Sequence, residues 1–238
     1  MNKNIGTNIG VVGLGAMGRG MAASLRRAGW NVHVCDVRLE AAQAFAADGG
    51  VACASPAELA THCEVIVSVV VNAAQTDTVL FGDGGAAAAM QPGSLFIMCS
   101  TVDPNVSVQF EQRLAALGLL YLDAPISGGA AKAASGEMTM MTSGTPAAYA
   151  KAGSALEAMA AKVYRLGDQA GNGSKVKIIN QLLAGVHIAA AAEAMALGLR
   201  EGVKAEDIYE VITHSAGNSW MFENRMAHVL AADYTPLS

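Results

Sequence analysis

Glycines stand at positions 13, 15 and 18, between a β-branched run that ends at Val12 and a helical stretch that begins near Met17. A G-x-G-x-x-G loop between strand and helix constrains the fold strongly, because each glycine has a separate task. Gly13 permits the tight turn, Gly15 lets a pyrophosphate approach the backbone, and Gly18 lets helix and strand pack closely. Leu14, Ala16 and Met17 complete the loop, and the helix start offers amide donors to phosphate. Alone, the pattern also describes a glycine-rich turn; the strand–turn–helix context is what makes it a dinucleotide loop. Asp36 closes the next strand about twenty residues on, where a carboxylate accepts hydrogen bonds from the adenine-ribose hydroxyls and repels a 2′-phosphate. That favours NAD over NADP, and Arg38 two residues later softens the preference. Asp36 is also an ordinary strand-ending turn residue.

Strand and helix alternate through the first half. Strands are expected at Asn8 to Val12, Asn31 to Cys35, Val65 to Val71, Leu95 to Cys99 and Leu119 to Asp123, with later ones at Met138 to Thr142 and Val163 to Leu166. Helices fall at Met17 to Ala28, Leu39 to Ala47 and from Asp103-Pro104 to Leu117, and Ser55-Pro56-Ala57-Glu58 is a capping box. This order implies right-handed β-α-β units in a doubly wound parallel α/β sheet of Rossmann type, with helices on both faces. After Gly173 the strand pattern stops. Ser174 to Glu201 reads as one long helix, followed by Ala205 to His214 and Trp220 to Leu230. A boundary at the Gly-rich stretch Asp168 to Gly173 gives a dinucleotide-binding domain over 1–170 and an all-helical C-terminal domain over 171–238.

Composition excludes several classes. The chain has 238 residues, 53% hydrophobic and 15% charged, which can bury a large core and excludes disorder as its main state. Roughly a fifth is alanine, a good helix former. The net charge of −5, without a Lys/Arg run, argues against nucleic acid. Four cysteines without a C-x-x-C pair fit reduced thiols in the cytoplasm, scattered histidines signal no metal site, and the short polar N-terminus shows no signal peptide. Leu182 to Leu199 is almost long enough to cross a bilayer. It contains His187 and Glu193 and is rich in alanine, so a helix buried between lobes or subunits explains it better than a membrane span. A homodimer or homotetramer is therefore expected.

Candidate chemistry lies on three further segments. Val71 and Asn72, after the Val-rich strand, and Thr101, after the next, stand at the C-terminal strand edge where ligands lie in such folds. Ser127, Gly128 and Gly129 offer a hydroxyl and free amides that suit a carboxylate, although an ordinary turn has the same composition. Lys177, Asn180 and Gln181 stand at i, i+3 and i+4 on one helix face, while Lys175 points roughly 160° away. An amine beside two side-chain amides can bind an oxygen and pass a proton, and burial would lower its pKa toward working pH. The competing reading is a surface lysine near a helix start. Trp220 and Phe222 could close over a substrate but suit a core better.

The motifs Gly13 to Gly18, Asp123-Ala-Pro-Ile-Ser-Gly-Gly129 and Gly171-Asn-Gly-Ser-Lys-Val-Lys-Ile-Ile-Asn-Gln181, in this order, resemble the β-hydroxyacid dehydrogenases, the 3-hydroxyisobutyrate dehydrogenase-like family. The resemblance spans essentially the whole chain. It implies NAD-dependent oxidation of a small hydroxy acid, a substrate carboxylate held at Ser127 to Gly129, nicotinamide beside Thr101, and Lys177 rather than Lys175 as the catalytic lysine. The wording from Val70 to Thr76, and Gln181 in place of a second Asn, look most like members that oxidise the 2-hydroxyl of a four-carbon sugar acid such as L-threonate. Oxidation of 3-hydroxyisobutyrate and reduction of tartronate semialdehyde or glyoxylate are the nearest rivals. An imine reductase fits less well with lysine at that position. A dinucleotide-binding module without turnover is the rival from another class. Family members continue with further helices, so the C-terminal domain is expected to be truncated or incompletely represented here.

Overall fold

The computed structural model describes residues 6–234; residues 1–5, part of the polar N-terminal stretch, and residues 235–238 lie outside it. The chain begins β1 (Asn8–Val12), α1 (Gly18–Arg27), β2 (Asn31–Cys35), α2 (Leu39–Ala47), β3 (Val51–Ala52), α3 (Pro56–His62), β4 (Val65–Ser68) and α4 (Ala73–Phe81). It continues β5 (Leu95–Met98), α5 (Pro104–Ala115), β6 (Leu120–Asp123), β7 (Ile126–Ser127), α6 (Gly129–Ser135), β8 (Met138–Gly144), α7 (Pro146–Met159) and β9 (Ala160–Arg165). Three helices follow: α8 (Asn172–Arg200), α9 (Ala205–Thr213) and α10 (Trp220–Leu230).

The strands form one sheet in the order β3-β2-β1-β4-β5-β6-β8-β7, with β9 beside β8. From β3 to β6 every pairing is parallel. Alternate side chains supply two cores, one on each face. Ile9, Val11, Val65, Val67, Leu95 and Ile97 face Met21 and Leu25 of α1 and Ala152 and Leu156 of α7. Val12, Ile66, Phe96 and Met98 face Leu59 of α3, Leu80 of α4 and Phe110 and Leu114 of α5. Buried parallel strands are apolar on both faces for this reason. The order reverses between β1 and β4, which leaves a crevice at the carboxyl ends of the strands.

One strand bound needs correction, and two features add detail to the expected parallel-dominated sheet and helical C-terminal region. The sheet is not wholly parallel: β8 runs antiparallel to both β6 and β7. Only Ala124 and Pro125 separate β6 from β7, too few for a crossover, so the chain continues in one direction along β8. The strand expected through Val71 ends at Ser68, because its ladder partners end at Val12 and Met98. Val71 projects from the sheet edge, 76% exposed. Among the described residues, the most apolar 18-residue window of the long helix is 17% buried, with Leu182, Leu183, Val186 and Leu197 exposed. By length and composition alone it could cross a membrane.

Two compact units divide the chain, one ending at Lys177 and the other beginning at Ile178. The first holds the sheet and α1 to α7. The second has its own small core, Ala191 and Met195 of α8 with Phe222 and Met226 of α10, and Tyr209 of α9 stacks on Phe222 at 6.1 Å.

Candidate active site

β1 delivers the chain to Gly13, whose amide donates to Cys35 O at 2.9 Å and whose φ is +93°. A Cβ there would lie 2.5 Å from Val69 O, so the turn requires glycine. The next amide, of Leu14, donates to Asp36 Oδ2 at 2.6 Å. Asp36 Oδ1 accepts from the Arg38 amide at 2.8 Å, with Arg38 Nε at 3.4 Å. Asp36 is thus fixed beside the loop, at the end of β2, where a ribose hydroxyl is read in this fold. Gly15 and Ala16 are exposed, and no atom lies within 4 Å of a Cβ built at Gly15. The amides of Gly15, Ala16 and Met17 have no hydrogen-bond partner among the described residues. A Cβ on Gly18 would run into Gly13 O. An open face with unpaired amides at a helix start fits a pyrophosphate.

The neighbouring edge is pinned by side chains. Asn72 Oδ1 accepts the Gln75 amide at 2.9 Å, and Gln75 Oε1 accepts the Val71 amide at 2.9 Å. Ser100 Oγ donates to Val70 O at 2.8 Å and pairs with Thr76 Oγ1 at 3.1 Å. Asn72 therefore caps α4 with its oxygen, and Val71 and Asn72 are held at the crevice. Thr101 is exposed just past β5. Gln75 was missed in the sequence, although Asn followed three residues later by Gln, a capping-box spacing, is a signal that could have found it. Ser100 had no such signal, because its partners are distant in sequence.

Ser127 and the two glycines after it are half-buried, and Gly128 and Gly129 have φ of +143° and +76°. Both conformations favour glycine. The Lys177 amine lies beside this turn: its Nζ donates to Ile126 O at 2.8 Å, with the residue 8% exposed. Burial pushes its pKa below the usual lysine value. Lys175 is exposed and its Nζ donates to Asn172 Oδ1 at 3.3 Å. The surface-lysine reading therefore describes Lys175 and not Lys177. Asn180 and Gln181 belong to the second unit, where Asn180 Nδ2 donates to Gln181 Oε1 at 3.4 Å. Phe222 is buried in that unit's core, whereas Trp220 is exposed. The four thiols are free and buried, with burial raising Cys35 and Cys53 to about 11 and Cys63 to about 12. Inert thiols of this kind take no part in the site.

A phosphate cradle at the sheet's switch point, with an acidic residue at the end of β2, is the layout of a dinucleotide-dependent oxidoreductase. Residues 8–167 match the NAD-binding domain of 6-phosphogluconate dehydrogenase, and residues 171–238 match the NAD-binding region of NADP-dependent 3-hydroxyisobutyrate dehydrogenase. L-threonate dehydrogenase of Cupriavidus necator is 68% identical over 231 residues, 97% of this chain and 78% of that protein. L-threonate dehydrogenase of Haemophilus influenzae is 47% identical, over 99% of this chain and 79% of that protein. The structure of 3-hydroxyisobutyrate dehydrogenase from Salmonella typhimurium superposes with a TM-score of 0.92 at 51% identity, covering 98% of this chain and 81% of that one. The chain belongs to the 3-hydroxyisobutyrate dehydrogenase-like family of NAD-binding hydroxy-acid dehydrogenases.

Proposed function

We propose that the protein oxidises the 2-hydroxyl of L-threonate to 2-dehydro-L-erythronate with NAD, using Lys177 as general base. The observation that carries this reading is the buried Lys177 amine, 2.8 Å from the carbonyl that directly precedes Ser127. Bound NAD supplies the acceptor for the carbinol hydride. Lys177 takes the hydroxyl proton as the carbinol carbon becomes a carbonyl, which requires a neutral amine and so profits from a lowered pKa. Ser127, Gly128 and Gly129 hold the carboxylate. Asn180 and Gln181, three and four residues further along α8, orient the reacting oxygen. Gly13, Leu14, Gly15, Ala16, Met17 and Gly18 hold the pyrophosphate, Asp36 the ribose, and Val71, Asn72 and Thr101 line the nicotinamide side. Residues 1–170 serve NAD binding, and 171–238 serve substrate and subunit contacts.

The choice of L-threonate is supported by two relatives of that name at 68% and 47% identity and by side-chain amides suited to a polyhydroxylated acid. The test is NADH formation with L-threonate, 3-hydroxyisobutyrate, and the alcohols formed from tartronate semialdehyde and glyoxylate. L-threonate should give the highest kcat/KM. A higher value for 3-hydroxyisobutyrate would overturn the substrate, and no turnover of any of them would favour a dinucleotide-binding module.

The exposed apolar residues of α8 form a patch of the kind that marks an interface. They are assigned to contacts in a homodimer or homotetramer in the cytoplasm, where the four thiols stay reduced. Sedimentation should give a dimer or larger, and a stable monomer at micromolar concentration would contradict it.

A further inference from the structure

We propose that Asp123 is the positioning residue for the reacting amine: its carboxylate pins the first turn of α8 to the sheet and thereby sets where Lys177 stands. This rests on the reading of Lys177 as general base. Asp123 ends β6 and has no exposed surface. Its Oδ2 accepts from Ser143 Oγ at 3.1 Å, the Gly171 amide at 3.0 Å and the Ser174 amide at 2.9 Å. Its Oδ1 accepts from Ser174 Oγ at 2.7 Å. Ser143 Oγ in turn accepts the Gly173 amide at 2.9 Å. Two amides at the start of α8 that have no partner within the helix are thus satisfied by a single carboxylate from the sheet.

The contact is close as well as polar. A Cβ on Gly173 would strike Met141 O and stand 3.1 Å from Asp123 O, so the first turn lies directly on the backbone of β6 and β8. Lys177 follows Ser174 by three residues, about 4.5 Å of helix rise. Its Nζ then meets Ile126 O, three residues past Asp123 in the same segment. One stretch of chain grips α8 twice, by a carboxylate at its first turn and by a carbonyl at the amine. The residue that follows, Ser127, begins the turn assigned to the substrate carboxylate. Amine and substrate are therefore referred to one rigid segment. A burial of charge that looks costly on its own is compensated by four donors aimed at it.

A purely structural Asp123 would affect folding and leave Lys177 alone once folded, so the amine itself is the readout. Burial is the cause of its lowered pKa. If the first turn of α8 loosens, water reaches the amine and its pKa returns toward 10.5. The experiment compares Asp123→Ala, Asp123→Asn, the double variant Ser143→Ala/Ser174→Ala, and Lys177→Ala. The pKa of the Lys177 amine is measured without cofactor by competitive acetylation and peptide mass spectrometry. The pH profile of kcat is measured separately.

Asp123→Ala and the double variant should raise the Lys177 pKa, move the kcat profile to higher pH and lower kcat at neutral pH on the order of 10²-fold, the cost of a misplaced group. KM for NAD should hardly move. Asp123→Asn, which keeps an oxygen for the two amides, should restore most of the loss. If Asp123→Ala does not fold, the double variant decides. An unchanged Lys177 pKa and kcat in the folded variants, with Lys177→Ala inactive, would overturn the proposal. A near-normal kcat in Lys177→Ala would instead overturn the general-base reading, and the acetylation result would still judge the anchor.

Discussion

The Lys177 Nζ donates to the main-chain carbonyl of Ile126 at 2.8 Å, a bond that brings the start of α8 and the end of the sheet to one point. Lys175, two residues back, faces outward to Asn172. Replacing either lysine removes one amine from the same helical turn, so the pair separates the chemistry of one position from the mere loss of an amine. Lys177→Ala should lower kcat by roughly 10²–10⁴-fold, the range for a general base. Lys175→Ala should have little effect, and NAD affinity should be similar in both. Equal losses from the two in steady-state kinetics would remove Lys177 from the mechanism.

Gly15 and Gly18 share a motif but fail differently. A Cβ at Gly15 meets open space, so Gly15→Ala should fold with an unchanged denaturation midpoint and lose NAD affinity, because the methyl occupies the pyrophosphate's place. Gly18→Ala drives a Cβ into Gly13 O and should destabilise by about 1–3 kcal/mol, as overpacking does. Urea unfolding beside NAD titration reads both. Normal NAD binding by Gly15→Ala would contradict the cradle.

The Asp36 carboxylate is held by the Leu14 and Arg38 amides, and Arg38 is exposed next to it. Asp36→Ala removes the acceptor for the ribose hydroxyls and the charge that repels a 2′-phosphate, leaving Arg38 free to pair with that phosphate. Hydrogen bonds to charged groups are worth about 1.5–3 kcal/mol, so KM for NAD should rise at least about tenfold. The NADP/NAD ratio of kcat/KM should rise with it. Equal use of both cofactors by the unmodified enzyme would contradict the assignment.

His33 is buried on β2 and stacks on His62 with ring centroids 5.3 Å apart. Burial first, and then His62, lowers its pKa below 6.5. The unfolded chain therefore takes up a proton near pH 6.5 while the folded one resists, so stability falls as pH drops from 6.5 toward the folded pKa. The urea midpoint should decline across that window, and His33→Gln should flatten part of the decline. The same slope in the variant would exclude His33 as a cause.

Much of the nucleotide-binding half was legible because its signals are local. β1, β2 and α2 begin and end where the β-branched run, the alternation and the glycines place them. Ser55 caps α3 by accepting the Glu58 amide at 3.1 Å, although Glu58 reaches back to the Ala54 amide and not to that of Ser55. Short elements escaped. β7 has two residues and α6 seven, too few for a periodicity to register; β7 exists through pairing with β8, and α6 through close packing against α1.

The sequence by itself determined the glycine loop, the acidic residue after β2, the helix-face spacing of Lys177, Asn180 and Gln181, and the family. All of these are short-range patterns imposed by backbone geometry and chain order. Tertiary structure decided which lysine is buried, because burial depends on what the fold lays across a side chain. It also decided that Asn72 Oδ1 is a cap, that β8 runs against its neighbours, and that Asp123 meets Ser174, 51 residues away. Contacts of that separation follow from the sheet's topology, which only the folded chain sets.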